Sequence, residues 1–180
     1  VMGSKKVKAI IIEPSKTSKV KIKDIKKFRE ISKPFALSLA KREGFSTYGT
    51  PMMMKPMSEY GGIPTKGFRM GSFDKIDDIS GEALHEFVVK RGGKKRLACC
   101  PTCAIKCSNL VVDDKGNHIT SSLEYETMAL NGTNLMINDL ESLAWIDHYC
   151  DDIGIDTIEF GGTVGVAMDC GKLKWGDAKS

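Results

Sequence analysis

Four of the six cysteines fall within nine residues, in the run ACCPTCAIKCS that carries Cys99, Cys100, Cys103 and Cys107. No other feature restricts the fold as tightly, because the chain must turn sharply there and the thiols must have a use. Disulfides explain the run poorly. Adjacent cysteines pair badly, bridges this short would staple little, and the rest of the chain has no extracellular character. The spacing Cys100-x2-Cys103-x3-Cys107 lets a compact turn aim three thiolates at one inorganic body while nearby amides bond to sulfur, which suits an iron-sulfur cluster. The alternative is structural zinc held by Cys100, Cys103, Cys107 and His118 as a Cys3His site. Spacing alone favours iron-sulfur by roughly two to one. Cys99 could replace Cys100 in either site and is read as a bystander. Cys150 lies on the apolar stripe of a predicted helix, where a thiol acts as a small hydrophobe, and Cys170 sits beside Gly171 at a helix end. The fourth cluster ligand is therefore expected beyond residue 180.

A chain of 180 residues with 41% hydrophobic and 28% charged residues is long enough for one core, as one domain or a piece of a larger one. Its net charge of +4 is small, and its lysines gather before residue 45 and around Lys90 to Arg96 without interleaved aromatics. They read as solvated faces, not a nucleic-acid site. The longest uncharged apolar stretch, Phe160 to Met168, is too short to cross a bilayer, and no signal segment is visible. Both ends read as cut.

The fold expected is mainly α. Lys8 to Glu13 (KAIIIE) reads as a buried strand closed by Pro14. Asp24 to Ile31 reads as one helix and Pro34 to Arg42 as another, with Pro34 in the first turn and Gly44 just past the end. Residues 47 to 74, rich in Gly, Pro and Met, read as a long ordered loop around a short helix. Ser80 caps a helix that runs to about Lys90 and stops at Gly92 and Gly93. Val111 to His118 suggests a small hairpin, and Leu123 to Leu130 returns to helical character. Asn138 with Glu141 resembles a capping box opening a helix that Gly154 ends, and Asp156 with Glu159 opens the last helix.

Five segments then fall in register: VMGSKKVKAIII at the start, GGIPTKGFR at 61 to 69, the three cysteines, LEYET at 123 to 127, and YCDDIGIDTIEFGGTVGVAMD at 149 to 169. Together they resemble the aldehyde ferredoxin oxidoreductase family over essentially the whole chain. The resemblance implies a β-rich first domain followed by two largely helical domains, with a tungsten or molybdenum bis-pterin between them. Residues 1 to 13 would be the closing strand of the first domain. Residues 14 to 180 would be most of the second, an iron-sulfur and pterin-binding helical domain incomplete at its end. The fourth cluster cysteine would come from the third.

The resemblance assigns Asp151, Gly154 and Asp156 to pterin contact. The chemistry is sound, since carboxylates accept hydrogen bonds from an aminopyrimidine and glycine permits close approach. The same residues would equally build an ordinary helical corner. Glu126, with Glu124 as second choice, is implied as a carboxyl acid or base near the metal. Cys100, Cys103 and Cys107 become ligands of a 4Fe-4S cluster that passes electrons to ferredoxin. The implied reaction oxidises an aldehyde to a carboxylate in the cytoplasm, without nucleic acid or membrane; the tungsten subunit of a benzoyl-CoA-reductase-like enzyme is the second enzyme reading. A homodimer is also implied, but some dimeric members carry Glu-x-x-His where this chain has Trp145-Ile-Asp-His148, so that shared metal site is not carried over. A non-catalytic binding module stabilised by Cys3His zinc is the reading from another class.

Overall fold

The computed structural model describes residues 2–13, 20–101 and 103–178. The chain divides into two units, residues 1–35 and 36–180. In the first, Val7 to Glu13 joins no sheet and is exposed throughout, with Ile10, Ile11 and Ile12 at 72, 91 and 82%. The expected strand does not form, because β structure needs a neighbouring strand to satisfy its amides and the described residues of this unit offer none. Pro14, expected to close it, lies outside the described residues.

The boundary between the units crosses α1 (Ile25–Ala40). This is one helix where the sequence suggested two, with Pro34 in its interior. Proline removes one intrahelical bond, and an exposed helix can leave the freed carbonyl to water. Asp24 Oδ1 receives the Lys27 amide at 2.9 Å and caps its start. None of its residues is buried.

In the second unit, α2 (Glu43–Tyr48) and α3 (Met54–Glu59) flank a short 3-10 turn. Of these, α3 is the short helix expected within the long ordered loop over 47–74. Then α4 (Gly81–Lys90) begins where predicted, with Ser80 Oγ accepting the Ala83 amide at 3.1 Å. A three-stranded antiparallel sheet follows in the order β1 (Lys94–Leu97), β2 (Ser108–Val112), β3 (His118–Ser121). The β2–β3 hairpin matches the expected turn, whereas β1 is lysine-rich and gave no strand signal.

The remaining elements are α5 (Tyr125–Asn131), α6 (Leu140–Ile153) and α7 (Thr157–Asp169). Seven α-helices and one small sheet among the described residues make the fold mainly α. One correction concerns the start of α6: Asp139, not Asn138, is the cap, receiving the Ser142 amide at 2.8 Å. An acidic residue also suits the positive end of the helix dipole. The Asn138 side chain donates to Asp78 instead.

The core joins Val88 of α4, Val111 and Ile119 of the sheet, Met128 of α5, Leu143 of α6 and Met168 of α7. Glycine brings α7 onto α5. A Cβ at Gly161 would collide with the Leu130 carbonyl, so only glycine allows this approach. Among the described residues, no helix is long and apolar enough to cross a membrane.

Candidate metal centre and acidic corner

The cysteine segment is the connection from β1 to β2, so both of its ends are fixed by the sheet. Its middle is fixed by α2. Ser46 Oγ donates to the Ile105 carbonyl at 2.8 Å, and Gly49 lies so close that a Cβ there would stand 2.7 Å from the Cys107 carbonyl oxygen. Gly49 takes φ 67°, ψ −162°, a region reserved for glycine, as it ends α2.

Within the loop, Cys103 N donates to the Cys100 carbonyl at 3.3 Å, and Lys106, at φ 56°, turns its amide toward Cys103 Sγ at 3.5 Å. The amides of Lys106 and Ile105 hold the Cys103 thiol below the ordinary cysteine pKa. The Cys99 sulfur, with Cys103 beyond it, pushes Cys100 up, and burial pushes Cys107 up. These three thiols are free, as are Cys99, Cys150 and Cys170. Thr102, inside the Cys-x2-Cys spacing, lies outside the described residues.

His118 is not brought to this loop. It lies opposite Val112, four residues along β2 from Ser108 or about 13 Å of strand, and its Nε2 pairs with Ser121 Oγ at 2.9 Å. Among the described residues, no three His, Cys, Asp or Glu side chains converge as a single-ion site would require. Cys150 is buried on α6, as its helical stripe suggested, and Cys170 is exposed.

Glu124 and Glu126 are separated by environment. Glu126 is exposed in the first turn of α5, where a negative charge favours the helix end. Glu124 precedes the helix, half-buried, and accepts from Thr50 Oγ1 at 2.5 Å. The same Thr50 oxygen receives the Tyr125 amide at 2.9 Å. Burial raises the Glu124 pKa despite that bond. Thr50 follows Gly49, and Asn109 ties β2 to the Leu123 backbone through Nδ2 at 3.1 Å and Oδ1 at 3.3 Å. One framework therefore holds Cys107 and Glu124, while Thr50 and Asn109, which make it, carry no sequence signal.

At the other acidic feature, α6 closes by two bonds, Gly154 N to Asp151 O at 3.2 Å and Ile155 N to Cys150 O at 2.8 Å. Gly154 is left-handed at φ 75°. Asp156 Oδ2 receives the Glu159 amide at 2.9 Å and caps α7. Gly154 and Asp156 thus perform the helical-corner work that any such turn needs. Asp151 has no such task, and the whole stretch from Asp151 to Asp156 is exposed.

Behind this corner lies a buried carboxyl that sequence reasoning missed. Asp147, 5% exposed on α6, accepts from Thr120 Oγ1 at 2.5 Å and Thr127 Oγ1 at 3.4 Å. Thr127 Oγ1 also meets Thr157 Oγ1 at 2.9 Å, joining the corner to α5 and the sheet. Burial raises the Asp147 pKa. Its signal was available as an acid on the helix face that carries Leu143 and Cys150.

Residues 26–179 match the family model described as aldehyde ferredoxin oxidoreductase, domains 2 and 3. The chain is 37% identical over 174 residues to a tungsten-containing aldehyde ferredoxin oxidoreductase of Thermococcus kodakarensis, covering 94% of this chain and 27% of that protein. It is 36% identical, with the same coverage, to the protein of that name from Pyrococcus furiosus. An aliphatic sulfonate oxidoreductase, WOR-like subunit, of Pyrococcus furiosus is 27% identical over 100% of the chain and 30% of its own length. The chain thus spans little more than a quarter of the length of the tungsten-containing relatives it matches.

Proposed function

We propose a function from one premise, that this chain belongs to the aldehyde ferredoxin oxidoreductase family: it holds three ligands of a 4Fe-4S cluster and one acidic face of a tungsten-pterin site, in an enzyme that oxidises aldehydes to carboxylates. The observation that carries the proposal is the 99–107 loop. Its four thiols, Cys100, Cys103 and Cys107 among them, are free, the Lys106 amide turns toward Cys103 Sγ, and Gly49 and Ser46 fix the backbone. That donor set suits a cluster. The position of His118 argues against Cys3His zinc.

When bound, tungsten and pterin would supply the two-electron chemistry, and the cluster a one-electron route out to ferredoxin. The chain's own residues have simpler tasks. Glu124, with its pKa raised by burial and its carboxylate oriented by Thr50, is placed to act as a carboxyl acid or base. It is better supported in this role than Glu126, which is exposed. Asp151 is free to accept from an aminopyrimidine, and the left-handed Gly154 keeps that approach clear. Residues 1 to 13 fit a closing strand whose sheet belongs to a preceding domain, which accounts for their bare isoleucines. Cytoplasmic location and ferredoxin as acceptor belong to the same proposal.

Metal analysis of full-length protein purified without oxygen tests this reading. About four irons and one tungsten or molybdenum per chain are expected. Iron without tungsten or molybdenum would sink the pterin assignment, and zinc without iron would sink the cluster.

A further inference from the structure

We propose that Lys95 is the counter-charge of the cluster held by Cys100, Cys103 and Cys107, and that its ammonium raises the cluster's reduction potential. This rests on the cluster assignment above. The first observation is the pattern of β1. Lys94 and Arg96 are exposed, whereas Lys95 and Leu97 are partly buried, at a bulge where Arg96 takes φ 58°, so a cation occupies a partly buried position against the sheet.

The second is that Lys95 Nζ is buried and has no hydrogen-bond partner. Ion pairs among the described residues engage Lys55, Arg69 and Arg91, and none reaches Lys95. A buried ammonium needs an anion or several acceptors, and a position lacking both is unfavourable unless something else supplies the charge.

The third is location. Lys95 lines the same small cavity as Cys107, together with Thr47, Tyr48, His85 and Asn109. The pairing of Lys94 with Leu110 and of Leu97 with Ser108 places it beside the start of β2, where Cys107 enters the sheet.

A 4Fe-4S core with thiolate ligands is an anion that gains one further negative charge on reduction. A nearby fixed cation favours the reduced state more than the oxidised one, and local charge and hydrogen bonds to sulfur are recognised determinants of cluster potential. The cluster's charge would thus serve as the partner of the lysine.

The test is a redox titration of full-length K95M and K95R, followed by the cluster's visible absorption and electron paramagnetic resonance. Methionine keeps the stem and removes the charge. K95M should retain wild-type iron and sulfide, with its reduced-to-oxidised ratio at a given potential lowered about tenfold, a shift of about 59 mV for one electron. K95R should restore most of it. An unchanged potential in a fully loaded K95M, or an equal shift in K95R, overturns the proposal. If K95M loses iron, K95Q serves in its place, and loss of iron from both overturns a role confined to tuning. A wild-type protein without iron-sulfur signals overturns the cluster assignment itself, and that result needs no lysine variant to be recognised.

Discussion

Replacing Gly49 with alanine tests whether the cysteine loop is held from α2. At φ 67° and ψ −162° the backbone lies where only glycine is comfortable, which costs an alanine about 1–3 kcal/mol. The new Cβ would also stand 2.7 Å from the Cys107 carbonyl and 3.3 Å from Pro51 Cδ, so backbone must move. Forced overpacking of this kind adds about 1–3 kcal/mol. The expected total is about 2–6 kcal/mol, with the strain delivered to the backbone of Cys107, a proposed cluster ligand. Gly116 is the control: it has φ 80° in the β2–β3 turn but open space around its Cβ. G116A should therefore cost about 1–2 kcal/mol and leave the thiols in place. Iron per chain and denaturant midpoint of the full-length variants are the measurements. G49A should lose most of its iron and G116A almost none. Full iron and wild-type stability in G49A, or equal iron loss in both, would refute the reasoning.

Three further outcomes are expected. Serine at Cys100, Cys103 or Cys107 should abolish the cluster absorption, whereas C99S and H118A should keep the iron content of the wild type; zinc bound by the wild type and lost from H118A would return the zinc alternative. D147A should destabilise by about 1–3 kcal/mol by stranding the Thr120 hydroxyl, while D147N, which still accepts from it, should stay within about 1 kcal/mol. Asp147 also has a pH signature. Its folded pKa is raised, so the proton is held more tightly in the folded state. The stability this gives is present at low pH and is lost as pH rises from about 3.9 through the folded value. D147N cannot ionise and should gain on the wild type across that window in denaturant titrations; a pH-independent difference would contradict it.

The parts of the fold legible in the sequence are those set by local chemistry. Ser80, Gly154 and Asp156 mark helix ends because capping is decided within a few residues, and the predicted hairpin forms. Three features were illegible because distant partners decide them. Lys8 to Glu13 has the composition of a strand but no neighbour. β1 has the composition of a solvated loop, yet pairing with β2 makes it a strand. Pro34 suggested a helix start, but an exposed helix tolerates the missing bond. The same division runs through the candidate site. Spacing exposes the thiols and the acidic corner, whereas Gly49, Thr50 and Asp147 matter through contacts made across the fold.

The glycine contact between α7 and α5 has a mechanical consequence. Where two helices meet through side chains, rotamer changes can absorb small displacements, but Gly161 sets α7 directly on the Leu130 carbonyl. No compliant layer remains at that point, and Thr157 is further pinned through Thr127. A push on the exposed acidic turn would therefore pass to α5 and its Glu124 end with little damping. The two features should move as one stiff body, so changes in their spacing would require altered backbone, not altered rotamers.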